Sequence, residues 1–277
     1  MRALIAGAGY VGTALAQRLA SEGHDVVVLR RSATPPPPGV RAFRADLTAP
    51  AALDALPPAD LVFYTAAADE RSDAAYRLAY VEGLERLLER LARMRRQPQR
   101  LLFTSSTAVY GQQAGEWVDE SSPTEPADFA GQRLLEGEAL VRSAPFPGTV
   151  LRLGGIYGPG RSSLVERARA GASFASGYTN RIHRDDAAAA LAHLAALPQA
   201  EGTVIGVDSE PALACEVLSW LAQRLELPAP RPGVVPSARA ARGSKRCRNA
   251  RLLATGFRFR YPTYREGYEA LLAEHSA

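Results

Sequence analysis

Through the first 160 residues, short β-rich apolar runs alternate with longer segments of helical period. Residues 3–6 (ALIA), 25–29 (DVVVL), 41–45 (RAFRA), 60–65 (DLVFYT), 100–106 (RLLFTSS) and 148–153 (GTVLRL) read as strands, with helices from about Tyr10 and through the eighties. This alternation predicts an α/β fold with a doubly wound parallel sheet. Prolines 35–38 can enter neither a helix nor a ladder, so they form a surface connection between the second and third strands. After Gly160 the pattern loosens. Helices are predicted near Ser162–Arg169, Asp186–Leu197 and Leu213–Leu225, with a strand at 203–207 (TVIGV), a proline-rich stretch at Pro228–Pro236 and a last helical segment from Tyr264. The boundaries that follow are a sheet domain over 1–158 and a smaller C-terminal lobe over 159–277, with part of 181–208 returning to the sheet.

At 277 residues and 47% hydrophobic, the chain can bury a full core. Cys215 and Cys247 lie far apart, without CxxC spacing or nearby histidines, which argues against a disulfide framework and a zinc site. Reduced thiols make a cytoplasmic location the expectation. No apolar run approaches the roughly 18–20 residues of a membrane span, and the N-terminal run is broken by Gly7, Gly9 and Gly12, so it reads as a strand and not a signal peptide. The net charge of +4 is almost wholly arginine, densest from Arg239 to Arg251. Such an excess suits a small anionic ligand. Nucleic acid is disfavoured, because few aromatic residues interleave with the arginines.

Residues 7–12, GAGYVG, follow a strand and open a helix, the context in which GxGxxG signifies dinucleotide binding. Gly7 permits the tight turn, Gly9 lets backbone approach a pyrophosphate, and Gly12 allows close helix–strand packing, with Tyr10 and Val11 inside the motif. The helix N-terminus offers free N–H groups and a positive dipole end to the phosphates. The sheet domain is therefore read as Rossmann-type. Where an acidic residue would take the ribose hydroxyls of NAD, the second strand runs into Arg30 and Arg31. A guanidinium grips a 2′-phosphate that a carboxylate would repel, so NADP(H) is favoured, with NAD(H) as the alternative.

These residues resemble the extended short-chain dehydrogenase/reductase family in its NAD(P)-dependent epimerase/dehydratase branch. Besides GAGYVG, the likeness rests on Asp46-Leu47, Ala66-Ala67, SSTAVYG (Ser105–Gly111), LRLGGIYGPG (Leu151–Gly160), NRIHRDD (Asn180–Asp186) and SKRCRNARL from Ser244. The resemblance implies that Asp46 contacts the adenine, that the Ala66 stretch passes beneath the nicotinamide ribose, and that Ser106 polarises the substrate. It also implies a nucleotide-linked or sugar-like substrate. The subgroup is atypical. The family uses a YxxxK pair on the next helix to move a proton during hydride transfer, and two registers of the helix from Asp128 are open. One puts Phe129 and Arg133 at those places; the other, aligning Glu138 with a carboxylate common in the family, puts Ala130 and Leu134 there. Neither holds a tyrosine, and Lys245 is the chain's one lysine.

Ser106 either holds a substrate oxygen or caps a turn. Tyr110 and Tyr157 are the nearest replacement phenols in sequence, although both match packing positions of the family. Asp185 or Asp186 is expected to cap the alanine-rich helix that follows, with His183 structural and no metal bound. Arg181, Lys245, Arg246 and Arg248 either line a cleft for an anionic substrate or form a solvated basic face. Two functions stay open: an NADP(H)-dependent oxidoreductase or epimerase-like enzyme with Ser106 on the reacting oxygen, and a non-catalytic NADP(H)-binding redox sensor or partner protein. A homodimer is compatible with either.

Overall fold

A computed structural model describes residues 1–171, 177–199, 202–230 and 243–274. The N-terminal part comprises β1 (Arg2–Ala6), α1 (Tyr10–Ser21), β2 (Asp25–Arg30), β3 (Val40–Arg44), β4 (Leu61–Tyr64), α2 (Asp73–Arg77), α3 (Gly83–Ala92) and β5 (Arg100–Ser106). Then come β6 (Glu116–Val118), α4 (Phe129–Ser143), β7 (Gly148–Leu153), β8 (Gly155–Tyr157), α5 (Ser163–Arg169), β9 (Tyr178–Thr179), β10 (Arg181–His183) and α6 (Arg184–Ala196). The rest is β11 (Thr203–Gly206), β12 (Ala212–Leu213), α7 (Ala214–Arg224), β13 (Lys245–Cys247), α8 (Ala250–Ala254) and α9 (Tyr264–Glu274). Seven strands form one parallel sheet in the order β11-β7-β5-β4-β1-β2-β3, the Rossmann-like arrangement.

The strand period of two explains the layers. On β1, Leu4 faces a core with Leu84, Leu87, Leu88 and Leu91 of α3 and Leu134 and Val141 of α4; its neighbour Ile5 faces Leu15 and Leu19 of α1 and Leu191 and Leu194 of α6. In α3 the leucines recur at helical spacing, so one stripe is buried and the arginines and glutamates between them are left outside. A π-helical turn, Leu78–Glu82, joins α2 to α3. A third, separate core gathers Leu164, Val165, Val217, Leu218, Leu221, Tyr264, Tyr268 and Leu271 from α5, α7 and α9.

Three short pairings escaped the hydrophobic pattern: β8 with β10, β9 with β12, and β6 with β13. They join residues that are distant in sequence; Glu116 pairs with Lys245. The loop after β6 also reaches the sheet, where the Glu120 carboxylate accepts the Ile205 N–H of edge strand β11 at 2.8 Å. Part of the proline-rich stretch (231–236) and part of the arginine-dense one (239–242) lie outside the described residues. Among those described, no helix is long and apolar enough to cross a membrane.

Candidate functional site

Gly7 adopts φ +106°, and a Cβ there would lie 2.3 Å from the Ala66 nitrogen, so the loops after β1 and β4 touch backbone to backbone. A Cβ on Gly12 would lie 2.0 Å from the Gly7 carbonyl oxygen. Gly9 differs from both, since a Cβ there meets nothing within 4 Å. It faces a cavity of about 820 Å³ along the C-terminal ends of the strands. The wall includes Gly7, Gly9, Tyr10, Val11, Arg30, Arg31, Asp46, Leu47, Ala66, Ala67 and Ser106. Of the cofactor residues expected from sequence, Gly12 is absent from this wall; it packs α1 against the loop instead.

At one end the two arginines have different partners. Arg30 donates to the Ser32 hydroxyl from Nε and Nη2 (3.1 and 2.8 Å), which leaves its charge uncompensated, whereas Arg31 Nη2 meets the Asp69 carboxylate at 2.6 Å. Asp46 accepts the Thr48 N–H and hydroxyl at 2.8 and 2.7 Å. The Thr48 backbone bond, chief among these influences, holds its carboxyl below the usual range.

At the other end Ser106 Oγ accepts the Ala108 N–H at 3.2 Å and caps the 3-10 turn Thr107–Val109. The hydroxyl proton is left free to donate into the cavity. Asp128 caps α4 by accepting the Gly131 N–H, and that start sets which face the helix turns inward. Ala130 and Leu134 line the cavity; Phe129 and Arg133 do not. One residue is about 100° of helix, so of the two open registers it is Ala130 and Leu134 that α4 turns to the cavity. Phe129 packs edge-on against Tyr76 at 5.5 Å, and Arg133 pairs with Asp73 and Glu136 at 2.8 and 2.6 Å. Glu138, fully buried, accepts from Ser105 Oγ and from Arg152 Nε and Nη2 at 2.7, 2.9 and 2.6 Å. This network continues through Arg152 to the Tyr110 hydroxyl at 2.8 Å, so Tyr110 is a packing residue, its phenol pushed up to about 12 by burial.

Three wall residues carry no motif that could have announced them. Tyr76 and Tyr80 come from the 73–82 segment, with ring centroids 5.2 Å apart. Burial, the main cause, pushes the Tyr80 phenol up to about 12, so it stays protonated at neutral pH. Arg161 is the third, its guanidinium 4.7 Å above the Tyr10 ring.

Other candidates lie away from the cavity. Tyr157 stacks on Tyr268 at 4.5 Å. The cap of α6 is His183, whose Nδ1 accepts the Asp185 N–H at 3.2 Å, while Asp186 accepts from the Arg260 and Tyr261 N–H groups. Burial brings the His183 pKa down to about 4, so the ring is neutral and can accept that bond. Lys245 is buried and donates to the Tyr110 carbonyl at 2.8 Å, and Arg181 is buried with its guanidinium on Thr179. Arg246 and Arg248 stack over Trp117 at 4.8 and 4.7 Å. None of these four cations lines the cavity.

The sequence profile of the NAD dependent epimerase/dehydratase family matches residues 3–205. A 3-diazoavenalumate denitrifying reductase from Streptomyces sp. is 32% identical over 268 residues, 87% of this chain and 86% of the relative. The dTDP-6-deoxy-L-talose 4-dehydrogenase (NAD(P)(+)) of Kitasatospora kifunensis is 32% identical over 65% of this chain and 61% of its own. A solved structure from Methylobacillus flagellatus, described as of NAD-dependent epimerase/dehydratase type, is 40% identical, covers 100% of this chain and 99% of its own, and superposes with a TM-score of 0.86.

Proposed function

This chain belongs to the NAD-dependent epimerase/dehydratase family, whose members act with NAD(P), and we propose that it is an NADP(H)-dependent reductase of a small, sugar-like or nucleotide-linked substrate. The observation that carries this reading is the single cavity joining the glycine loop, the Arg30–Arg31 pair and Ser106. The residues fit a dinucleotide: the space a Cβ would take at Gly9 is open, so backbone can approach a pyrophosphate there. When bound, NADPH supplies a hydride.

The chain's own residues do the rest. Arg30, with only neutral partners, binds the 2′-phosphate; Arg31 joins it by exchanging Asp69 for phosphate. Asp46 meets the adenine, and Ala66 and Ala67 floor the nicotinamide ribose. Ser106 donates to the oxygen of the reacting carbonyl, while Ala130 and Leu134 keep water from that end. α4 contributes no tyrosine and no lysine, so the family's usual proton donor is missing from it. The phenols on the wall are Tyr10, Tyr64, Tyr76 and Tyr80; burial makes the Tyr80 phenol a weaker acid than an ordinary tyrosine, so no one of them is assigned the proton. The Streptomyces relative, a reductase by name, supports catalysis.

The apolar face of α4 favours a second reading, a non-catalytic NADP(H)-binding sensor. NADPH oxidation across a panel of carbonyl and nucleotide-sugar compounds separates the two. Turnover that Ser106→Ala lowers at least tenfold is the expected result, the scale for a lost transition-state hydrogen bond. Robust turnover indifferent to Ser106 overturns the mechanism. Tight NADPH binding with no turnover in the panel overturns the enzyme.

A further inference from the structure

The loop between β8 and α5 brings one cation to the glycine loop. Its turn is fixed by the Arg161 N–H donating to the Gly158 carbonyl at 2.9 Å, and the Tyr10 hydroxyl donates to the Pro159 carbonyl at 3.0 Å. Tyr10 is a residue of the glycine motif itself, so these contacts tie the loop to the cofactor end of the cavity. Arg161 lies over the Tyr10 ring and lines the cavity together with Gly7, Ala8 and Gly9.

Its charge is unspent. Arg184 shares the same ring at 5.3 Å, but its guanidinium is engaged by Asp185 at 2.9 Å. Arg161 has no carboxylate within 4 Å among the described residues, and its side chain is exposed. An aromatic face holds a guanidinium plane while leaving its N–H edge available, so the ring orients the cation without using up its hydrogen bonds. A group that completes both the N–H groups of a glycine loop and an unpaired guanidinium is a doubly charged pyrophosphate.

We infer that Arg161 is a pyrophosphate-binding residue that reaches the dinucleotide from the β8–α5 loop, with the Tyr10 ring as its platform. The inference rests on dinucleotide binding, but on neither the choice of NADP(H) nor catalysis. A bound dinucleotide then bridges the glycine loop and the segment that leads into the third core.

The test uses the full chain and calorimetric titration with ADP-ribose, which carries the pyrophosphate without a 2′-phosphate or nicotinamide. Arg161→Ala is expected to weaken ADP-ribose, NADH and NADPH alike, by about tenfold to a hundredfold, and to leave adenosine 2′-monophosphate within twofold. Arg161→Lys keeps the charge and should recover part of the loss at low salt, and less at high salt. An unchanged thermal midpoint checks that the exposed side chain is not structural. ADP-ribose affinity within twofold of the parent in Arg161→Ala overturns the inference, as does equal weakening of adenosine 2′-monophosphate. Equal affinity of the parent chain for NADPH and NADH refutes the Arg30 reading alone, since ADP-ribose still reports on Arg161. A parent chain that does not bind ADP-ribose overturns both.

Discussion

Replacing Gly12 by alanine adds one methyl group to α1, 2.0 Å from the Gly7 carbonyl oxygen and 2.6 Å from Thr65 Oγ1. The helix gains about 1 kcal/mol in propensity. Against that, overpacking costs about 1–3 kcal/mol, and here the obstacle is backbone, which cannot swing aside. Thr65 Oγ1 also donates to the Gly7 carbonyl at 2.6 Å, a bond worth about 1 kcal/mol that the methyl displaces. The net loss is about 2 kcal/mol, a fall of roughly 4–8 °C in midpoint for a chain of this size. Gly9→Val is the matched contrast. At φ −84° and with nothing within 4 Å of its Cβ, the position has room for a side chain in the free protein, so the expected loss is about 1 kcal/mol, that of a non-capping residue at the helix N-cap. The valine instead fills the approach to the pyrophosphate, and NADPH affinity should fall at least about a hundredfold, or roughly 2.7 kcal/mol. Thermal unfolding followed by circular dichroism, with and without NADPH, reads both effects. The division of labour fails if Gly12→Ala melts within 1 °C of the parent, roughly 0.3 kcal/mol, or if NADPH raises the midpoint of Gly9→Val as much as that of the parent.

Three further outcomes are expected. Arg30→Asp should remove a preference for NADPH over NADH of about tenfold to a hundredfold; competitive titration with the two cofactors measures it, and an unchanged ratio rejects the role of Arg30. Phe129→Tyr with Arg133→Lys should leave turnover within about twofold, because neither side chain lines the cavity; a large gain in steady-state rate would mean that α4 presents a different face in the working enzyme. Burial pushes the Asp208 carboxyl up to about 7, so the folded state holds this proton more tightly than the unfolded one, and the stability tied to it is lost as pH rises from about 4 to 7. Asp208→Asn should therefore gain on the parent by about 2–4 kcal/mol over that range in urea unfolding, and a difference that does not vary with pH contradicts the burial argument.

The sheet was legible because its signals are local: each strand is a short apolar run, and the glycine motif sits where a strand meets a helix. That Arg30, Asp46 and Ala66 share one cavity wall was legible for the same reason, since they end or follow strands and parallel strands deliver their C-terminal ends to one side. The register of α4 was not. Phe129/Arg133 and Ala130/Leu134 are both i,i+4 pairs, and what separates them is the side-chain cap from Asp128 to the Gly131 N–H and the buried Glu138–Arg152 pair. The basic cluster stayed open between two readings because charge count carries no information on direction; Lys245 and Arg181 are turned into the interior, where a carbonyl and a hydroxyl accept their hydrogen bonds. Arg161 left no trace, since YGPG reads as a turn and a cation above an aromatic ring depends on a residue 151 positions earlier.

The carboxylate of Glu120 on the Ile205 N–H has a bearing on how copies of this chain meet. An open strand edge is a template for further strands, and through it a soluble domain extends into dimers, swapped forms or fibrils. Here the β11 edge is plugged at Ile205 by a side chain from a distant loop, and the β3 edge carries Arg41 and Arg44, with Arg41 held by Asp25 at 2.8 Å. A strand added at β11 would have to displace the Glu120 carboxylate from Ile205, and one added at β3 would have to pass Arg41 and Arg44.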